Sequence, residues 1–371
     1  MPEDDAVDVT DSQLLSDDEL AELEEADPKA HQVVYAGQDF DVEGLVRRLD
    51  RRDILIPRFG HADEDIVTPG FQRSFVWKRP QMDRFIESML LGYPIPGILL
   101  VRQQDKRYLV LDGQQRLRTL QHFYSGIHGD RVFDLKNVSE EFRGLSYSTL
   151  TPAQKRALDN TYLQATILDT DGSAESLDAI YQIFERLNSG GTQLTPHEIR
   201  VALFAGGLID LLHELNTHPA WRSLYGAPSP RLRDQELVLR ILALYCMHDI
   251  YTRPLKGFLN HFANVHRDAS DEQVKKAAEL FKRSSDLLAK AVGRDALRRR
   301  SKQINAAQTD AMFVGLMTAL ETRDLVDRQV LAAFQNLQSS MAFDKATITG
   351  TSDEEVVNAR IEASVTAFSA A

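Results

Sequence analysis

The chain has 371 residues, of which 43% are hydrophobic and 26% charged, proportions typical of a globular protein with a sizeable core. Cys246 is the only cysteine, which excludes a disulfide within the chain and a cysteine-based zinc site. No apolar run approaches the roughly 20 residues that a transmembrane helix needs, and the acidic N-terminus does not resemble a secretory signal peptide. We therefore expect a cytoplasmic protein that does not engage a membrane.

The net charge of −12 is concentrated at the N-terminus. Residues 1–30 hold twelve acidic residues and one base, Lys29, a net charge of −11 that leaves only −1 for residues 31–371. We interpret this segment as an acidic, disordered tail. The alternative is that it mimics DNA and covers a basic groove. The nearly neutral remainder of the chain is compatible with a nucleic-acid-binding surface.

Residues 31–194 alternate strand-like and helix-like segments, which predicts a mixed α/β domain. Apolar residues at helical spacing predict helices within residues 82–90 and 177–184. The candidate strands are residues 32–35, 97–101, 107–111 and 162–168.

The first motif in this domain places Gln72 and Arg73 among aromatic residues, namely Phe71, Phe75 and Trp77. Such a mixture suits a nucleotide, because the rings stack on a base while the guanidinium attracts phosphate charge. The alternative is a set of core aromatics beside a solvated arginine.

The sharpest motif is Asp112-Gly113-Gln114-Gln115-Arg116, which follows a predicted strand and opens a predicted helix. The N–H groups at such a helix start bind phosphate oxygens, Gly113 permits close backbone approach, and Arg116 can fork onto phosphate. Asp112 can bind a metal ion or orient a partner. The alternative makes Asp112 the N-cap of the helix, followed by exposed glutamines and a surface arginine.

A third motif breaks the helix that contains Phe184 into a polar turn, where Asn188 is followed by Gly190-Gly191. Paired glycines permit the backbone conformations of an anion-binding nest. The alternative is an ordinary loop between two helices.

Residues 195–371 predict a mainly α-helical domain without strands. Capping boxes predict helix starts at Thr195, Ser270 and Ser352, and the last helix is expected to end near residue 368. The predicted organisation is therefore an acidic tail (1–30), a mixed nucleotide-binding domain (31–194) and a helical domain (195–371).

These motifs, in this order and spacing, resemble the N-terminal domain family of GmrSD-type restriction systems. The resemblance includes Gly92-Tyr93-Pro94-Ile95-Pro96 and covers roughly residues 40–345. It implies an α+β fold, with a ParB/sulfiredoxin-like α/β core followed by a mainly α-helical region. In this family the DGQQR segment is associated with nucleoside triphosphate binding and hydrolysis, and some members sense modified DNA.

The resemblance implies a role for each motif. Asp112, Gln115 and Arg116 are expected to be catalytic. The residues expected to bind the nucleotide are Gln72, Arg73, Gly113, Gln114, Asn188 and Gly191. Mg²⁺ is expected to arrive with the triphosphate and to neutralise its charge, without a dedicated metal site on the protein.

Two departures from the family pattern matter. Phe71 stands where the family often has tyrosine, so any role of that hydroxyl is lost. DNA-cutting relatives carry a separate HNH-type nuclease domain, for which this chain has little room. The stretch from His261 to His266 lacks the sequence context of that nuclease, and we interpret it as helix packing. We therefore expect a partner chain to supply nuclease activity.

Two arginine-rich runs are candidate contacts to the DNA backbone. They are Arg47, Arg48 and Arg51 on an early helix, and Arg298, Arg299 and Arg300 in the helical domain. The alternative is that both runs are solvated helix faces, because acidic residues interrupt their charge.

The leading hypothesis is a module of a prokaryotic restriction or phage-defence system that binds and hydrolyses a nucleoside triphosphate. The competing hypothesis is a non-catalytic DNA-binding or regulatory protein with the same fold, because such folds support binding as readily as catalysis. A third alternative is a toxin- or antitoxin-like partner in which the acidic tail masks a binding surface.

Overall fold

The computed structural model describes residues 33–56, 77–103, 105–129, 131–187, 195–229, 231–299 and 303–371. These residues fall into two compact units. The sheet unit comprises the described residues up to 186, and the helical unit comprises those from 187 onward. Across the described ranges, no helix combines the length and the apolar character needed to cross a membrane.

A mixed five-stranded sheet forms the centre of the sheet unit, in the order β1-β7-β3-β4-β2. Strand β3 runs parallel to β7 and antiparallel to β4, so a single buried strand joins the two halves of the sheet. A separate two-stranded hairpin is formed by β5 and β6. The strands are β1 (Tyr35–Asp41), β2 (Ile54–Leu55), β3 (Ile98–Arg102), β4 (Tyr108–Asp112), β5 (Ile127–His128), β6 (Arg131–Val132) and β7 (Tyr162–Asp169).

Five α-helices lie in the described residues of this unit, and two of them, α1 and α3, cover one face of the sheet. Leu45 and Leu49 of α1 and Leu117 of α3 pack with Leu100 and Val110 of the central strands in one apolar cluster. Burying apolar area of this kind contributes about 25 cal/mol per Å². The helices are α1 (Val42–Asp50), α2 (Arg79–Leu90), α3 (Gln114–Ser125), α4 (Pro152–Asp159) and α5 (Ala174–Leu187).

The strand predicted at residues 32–35 is misplaced, because the strand β1 begins where that apolar run ends. Only Phe40 of β1 is buried, and its other residues are exposed or half-buried at the edge of the sheet. An exposed edge strand has no core face to impose an apolar pattern, so its sequence carries little signal.

The helical unit consists of ten α-helices in its described part, which confirms the predicted order of a mixed sheet followed by helices. Helix α12 is buried on nearly all sides, and its neighbours include α9, α11 and α15. This order confirms the α+β fold class, whereas a ParB-like topology stays a prediction. The helices are α6 (Pro196–Leu203), α7 (Gly207–Thr217), α8 (Pro219–Tyr225), α9 (Arg233–Met247), α10 (Leu255–Val265), α11 (Glu272–Ala291), α12 (Ala306–Leu320), α13 (Asp327–Ser339), α14 (Met341–Ala346) and α15 (Glu354–Ala370).

One of the three predicted capping boxes forms. Thr195 accepts a hydrogen bond from the Glu198 backbone N–H, and the Glu198 carboxylate accepts one from the Thr195 N–H at 2.6 Å. The other two helices begin one residue later than predicted, with Asp271 and Asp353 as N-caps and no side-chain cap hydrogen bond. His261 lies within α10, in agreement with its interpretation as part of a helix.

A buried histidine in α6 makes the stability of the helical unit depend on pH. His197 is fully buried, and burial, reinforced by the nearby Arg200 guanidinium, lowers its pKa to about 4, although Glu236 and Gln235 favour the charged form. The imidazole of the unfolded chain keeps a pKa near 6.5. Below that pH the unfolded state binds a proton that the folded state does not bind, so stability falls as the pH decreases.

We expect the free energy of unfolding of the helical unit to fall by roughly 1.4 kcal/mol per pH unit between about pH 6.5 and pH 4 from this group. His197→Leu removes the group and should flatten that slope, measured by urea unfolding at several pH values. The control is His261→Gln, which changes an exposed histidine of the same unit. An unchanged slope in His197→Leu would contradict the assignment.

Candidate functional site

The DGQQR segment lies where β4 ends and α3 begins. Leu99 pairs with Asp112 while Leu100 pairs with Val110, so Leu111 is an extra residue that forms a bulge. Gly113 then adopts the left-handed conformation, with φ +96°, and serves as the N-cap of α3. Asp112 is therefore the last residue of β4, and Gly113 is the N-cap of α3. The alternative interpretation, in which Asp112 is the N-cap of this helix, is wrong. Bulges of this kind re-aim side chains at the end of a strand.

Only glycine fits position 113. A Cβ atom there would lie 2.4 Å from Cγ2 of Ile98, a buried residue of β3. The positive φ adds a further cost for any other residue. The backbone of the turn is thus packed directly against the central strand.

The first turn of α3 presents backbone N–H groups without a side-chain cap at Gly113. The first intrahelical hydrogen bond runs from the Leu117 N–H to the Gly113 carbonyl, so the N–H groups of Gln114 and Arg116 precede it. Donors at a helix start, together with the positive end of the helix dipole, favour an anion.

The Arg116 side chain points back onto the turn and is 11% exposed. Its Nη1 donates to the carbonyls of Pro96 and of Gly97, the latter at 2.8 Å, and its Nη2 donates to Oδ2 of Asp112 at 2.7 Å. Sequence patterns did not indicate these carbonyl partners, although Pro96 ends the Gly92–Pro96 motif. Arg116 therefore holds the turn against the chain entering β3.

The Asp112 carboxylate is 64% exposed. Its Oδ2 atom is paired with Arg116, and Oδ1 has no hydrogen-bond partner among the described residues. Mg²⁺ is usually bound by one or two carboxylates together with substrate phosphates and waters, so a single exposed carboxylate beside anion-binding N–H groups fits that mode. Among the described residues, no group of three or more His, Cys, Asp or Glu side chains could hold a metal ion.

Gln115 connects the turn to the start of α2. Its Oε1 accepts a hydrogen bond from the Trp77 N–H at 3.2 Å, and the Trp77 ring packs edge-on against Phe85 at 5.5 Å. The Trp77 ring thus contacts the core cluster around α2. Gln114 is half-buried.

Several predicted site residues lie outside the described part of the chain. They are Gln72, Arg73, Asn188, Gly191 and Arg300. Their assignments stay predictions.

The two arginine runs proposed as DNA contacts differ in their surroundings. Arg47, Arg48 and Arg51 are exposed on or just after α1. Arg298 donates to the carbonyls of Leu224 and Tyr225 at the end of α8, both at 2.8 Å. These carbonyls are among the groups that a helix end leaves unsatisfied, so Arg298 caps α8.

Arg299 is 7% exposed and pairs with Asp344, and its Nη1 donates to the hydroxyl of Thr347. These contacts, like those of Arg298, favour an internal role over contact with DNA phosphates. Arg47, Arg48 and Arg51 are thus the stronger candidates for binding nucleic acid.

Asp83 forms a buried polar centre that sequence patterns did not indicate. It is fully buried on α2 and accepts hydrogen bonds from Arg79 Nε at 2.8 Å and from the N–H groups of Lys136 and Asn137. It joins α2 to the segment after β6, and this role is structural.

The half-buried side chain of Asp159 accepts hydrogen bonds from Tyr124 at 2.6 Å and Tyr147 at 3.1 Å. Burial, with the Asp159 charge, raises the pKa of Tyr147 to about 12 and raises that of Tyr124 further. Both hydroxyls therefore stay protonated at neutral pH and serve as donors. Tyr124 joins α3 to α4, and Tyr147 joins the segment before α4 to the end of that helix.

The comparisons with known proteins bear on residues 57–205, which match the family model described as GmrSD restriction endonuclease, N-terminal domain. The match includes the turn from Asp112 to Arg116, the Gly92–Pro96 motif and the start of α6. Searches of the curated proteins and of the solved structures gave no match. Residues 57–205 are therefore similar to the N-terminal domain of GmrSD restriction endonucleases, and this match indicates a component of a restriction or phage-defence system.

Proposed function

We propose that the sheet unit binds a nucleoside triphosphate at the Asp112–Arg116 turn and hydrolyses it as part of a restriction or phage-defence system. The observation that carries the proposal is the turn itself, in which Gly113 brings an uncapped helix start beside an exposed carboxylate. Helix starts preceded by a glycine turn are a recurring way to bind phosphate groups.

Each part of the turn has a distinct task in this proposal. The N–H groups of Gln114 and Arg116 donate to phosphate oxygens, while the exposed Oδ1 of Asp112 binds the cation that accompanies the triphosphate. When bound, Mg²⁺ neutralises charge on the phosphates and so makes attack by water feasible. Arg116 acts as a positioning residue, because its hydrogen bonds fix Asp112 and the entry to β3.

A second candidate function is nucleotide binding without turnover, as a regulatory switch. The internal hydrogen bonds of Arg116 favour it, because a guanidinium that is already engaged is not available to stabilise transition-state charge. Nuclease activity would come from a partner chain in either case. The exposed Arg47, Arg48 and Arg51 are the proposed contacts to DNA phosphates.

Asp112→Asn tests the proposal, because it keeps the size of the side chain and removes its charge. We expect phosphate release from the preferred nucleoside triphosphate, measured with Mg²⁺ and with or without duplex DNA, to fall on the order of 100-fold. Asp105→Asn is the matched control, since Asp105 also pairs with an arginine, Arg107, at 2.7 Å on the same unit.

The outcomes separate the two candidate functions. Loss of phosphate release in Asp112→Asn alone supports hydrolysis at the turn. Nucleotide binding by the wild type without phosphate release would favour the regulatory switch. Equal loss in Asp112→Asn and Asp105→Asn, or binding of no triphosphate by the wild type, would contradict the proposed site.

A further inference from the structure

Gln164 is an exposed residue of β7 that lies one strand away from the Asp112–Arg116 turn. It pairs with Asp39 of β1 on one side, and on the other side it lies beside Gly97, the residue before β3. A Cβ atom added at Gly97 would lie 3.6 Å from Cβ of Gln164, so both positions face the same side of the sheet. The Gly97 carbonyl in turn accepts a hydrogen bond from Arg116 at 2.8 Å. Asp39, Gln164, Gly97 and the turn therefore form one row across the end of the sheet.

The glycine in this row leaves open space between Gln164 and the turn. A Cβ atom at position 97 would lie 2.8 Å from the backbone oxygen of Gln164, so the close approach of β3 and β7 excludes a side chain there. Neighbouring strands are about 4.8 Å apart, which places Gln164 roughly 10 Å from the turn. That separation is comparable to the one between the terminal phosphates and the base of a nucleoside triphosphate.

The charges along the row differ at its two ends. The start of α3 carries the positive end of a helix dipole, whereas Asp39 is an exposed carboxylate that forms no ion pair among the described residues. A nucleotide carries its negative charge on its phosphates. This asymmetry therefore favours an orientation with the phosphates at the turn and the uncharged nucleoside near Gln164.

An exposed aromatic ring lies next to Gln164 on the same strand. Tyr162 is two residues before Gln164, so the two side chains are on the same face of the sheet. The Tyr162 side chain is 71% exposed, and its partner on β1, Asp41, is engaged with the Gly44 N–H at 2.6 Å. A tyrosine ring offers a stacking surface, and a glutamine amide offers a hydrogen-bond donor and an acceptor. These are the two kinds of contact that a nucleobase requires.

We propose that Tyr162 and Gln164 bind the nucleoside half of the triphosphate whose phosphates occupy the turn, an inference that rests on the proposed function. The Tyr162 ring stacks on the base, and the Gln164 amide hydrogen-bonds its edge. The amide can rotate to exchange its donor and acceptor, so it matches the edge of adenine and that of guanine. The wild type is therefore expected to bind ATP and GTP with similar affinity.

Tyr162→Ala tests the stacking contact. We expect it to weaken binding of a non-hydrolysable ATP analogue on the order of tenfold, measured by calorimetry with Mg²⁺, because a stacked base loses its platform. Binding of inorganic tripolyphosphate, which has no base, should not change. Tyr35→Ala is the matched control, since Tyr35 is 70% exposed but pairs with Leu168 near the other end of β7. It should bind both probes like the wild type.

Gln164→Glu tests the contact to the base edge by changing its preference. A carboxylate only accepts hydrogen bonds. Guanine offers two adjacent donors, N1–H and the N2 amino group, whereas adenine offers its N6 amino group alone. We expect the ratio of affinities for the GTP and ATP analogues to shift on the order of tenfold toward GTP. Gln38→Glu is the control, because Gln38 is exposed on β1 and pairs with Ala165 on the helix-covered face.

Three results would overturn the proposal and leave the turn as a phosphate site. They are equal affinity of the wild type for tripolyphosphate and for the ATP analogue, equal loss in Tyr162→Ala and Tyr35→Ala, or an unchanged GTP-to-ATP ratio in Gln164→Glu. If the wild type bound neither the analogues nor tripolyphosphate, the proposed function itself would fail, and the nucleoside contact would fail with it. The tripolyphosphate measurement thus distinguishes the two failures.

Discussion

Gly113→Ala is expected to lower the free energy of unfolding of the sheet unit by about 2–5 kcal/mol and to abolish nucleotide binding. The methyl group would lie 2.4 Å from Cγ2 of Ile98 and 3.1 Å from its Cβ, so the turn or β3 must shift. Overpacking of this kind costs about 1–3 kcal/mol, and the left-handed backbone adds about 1–2 kcal/mol. Urea unfolding measures the first effect, and titration with a triphosphate measures the second.

Gly126→Ala is the matched control for this substitution. Gly126 caps the other end of α3 with φ +72°, but nothing lies within 4 Å of a Cβ placed there. It therefore carries the backbone cost without the clash, and it should bind nucleotide normally. If both variants lose the same stability and both bind nucleotide, the close approach to Ile98 has no functional importance.

Asp310→Ala is expected to destabilise the helical unit by about 3–5 kcal/mol. Asp310 is fully buried, and its Oδ2 accepts hydrogen bonds from Arg240 at 2.6 Å and from Arg360 at 3.4 Å. The guanidinium groups of Arg240 and Arg360 are also buried. Removing the Asp310 carboxylate therefore takes away the negative charge that both of them contact in a low-dielectric interior. Breaking a buried pair in this way costs several kcal/mol, although the intact pair contributes far less.

Asp324→Ala is the control for the buried carboxylate. Asp324 pairs with Arg283 at the same 2.6 Å distance, but its side chain is 93% exposed. Exposed pairs contribute little, so this variant should unfold like the wild type. Tryptophan fluorescence distinguishes the unfolding of the two units, because Trp77 lies in the sheet unit and Trp221 lies in the helical unit. A change below about 1 kcal/mol in Asp310→Ala would show that solvent or rearrangement compensates the arginines.

Sequence patterns locate the buried strands well and the edge strand poorly. The predicted strands at 97–101, 107–111 and 162–168 agree with β3, β4 and β7 to within one residue, because buried strands need continuous apolar runs. The two-residue strands β2, β5 and β6 were not predicted, because such short segments carry no periodicity.

At the Asp112–Arg116 turn, the sequence predicts the local structure but not the contacts between distant residues. The motif predicts a helix start at the DGQQR segment because a strand, a glycine and an amphipathic helix follow one another. It does not predict that Arg116 binds the carbonyls of Pro96 and Gly97, because those partners are 20 and 19 residues away and come together only through the sheet. For the same reason, the run beginning at Arg298 suggested a surface patch, whereas Arg298 donates to carbonyls at the end of α8 and Arg299 pairs with the half-buried Asp344.

Amide hydrogen exchange of the full chain, with and without a non-hydrolysable triphosphate and Mg²⁺, tests the central claim most directly. The N–H groups of Gln114 and Arg116 precede the first intrahelical hydrogen bond of α3, so they are expected to exchange rapidly in the free protein. Bound phosphate oxygens should slow their exchange, while the end of α3 near Gly126 stays unchanged. Triphosphate binding without slower exchange at Gln114 and Arg116 would contradict a nucleotide site at this turn.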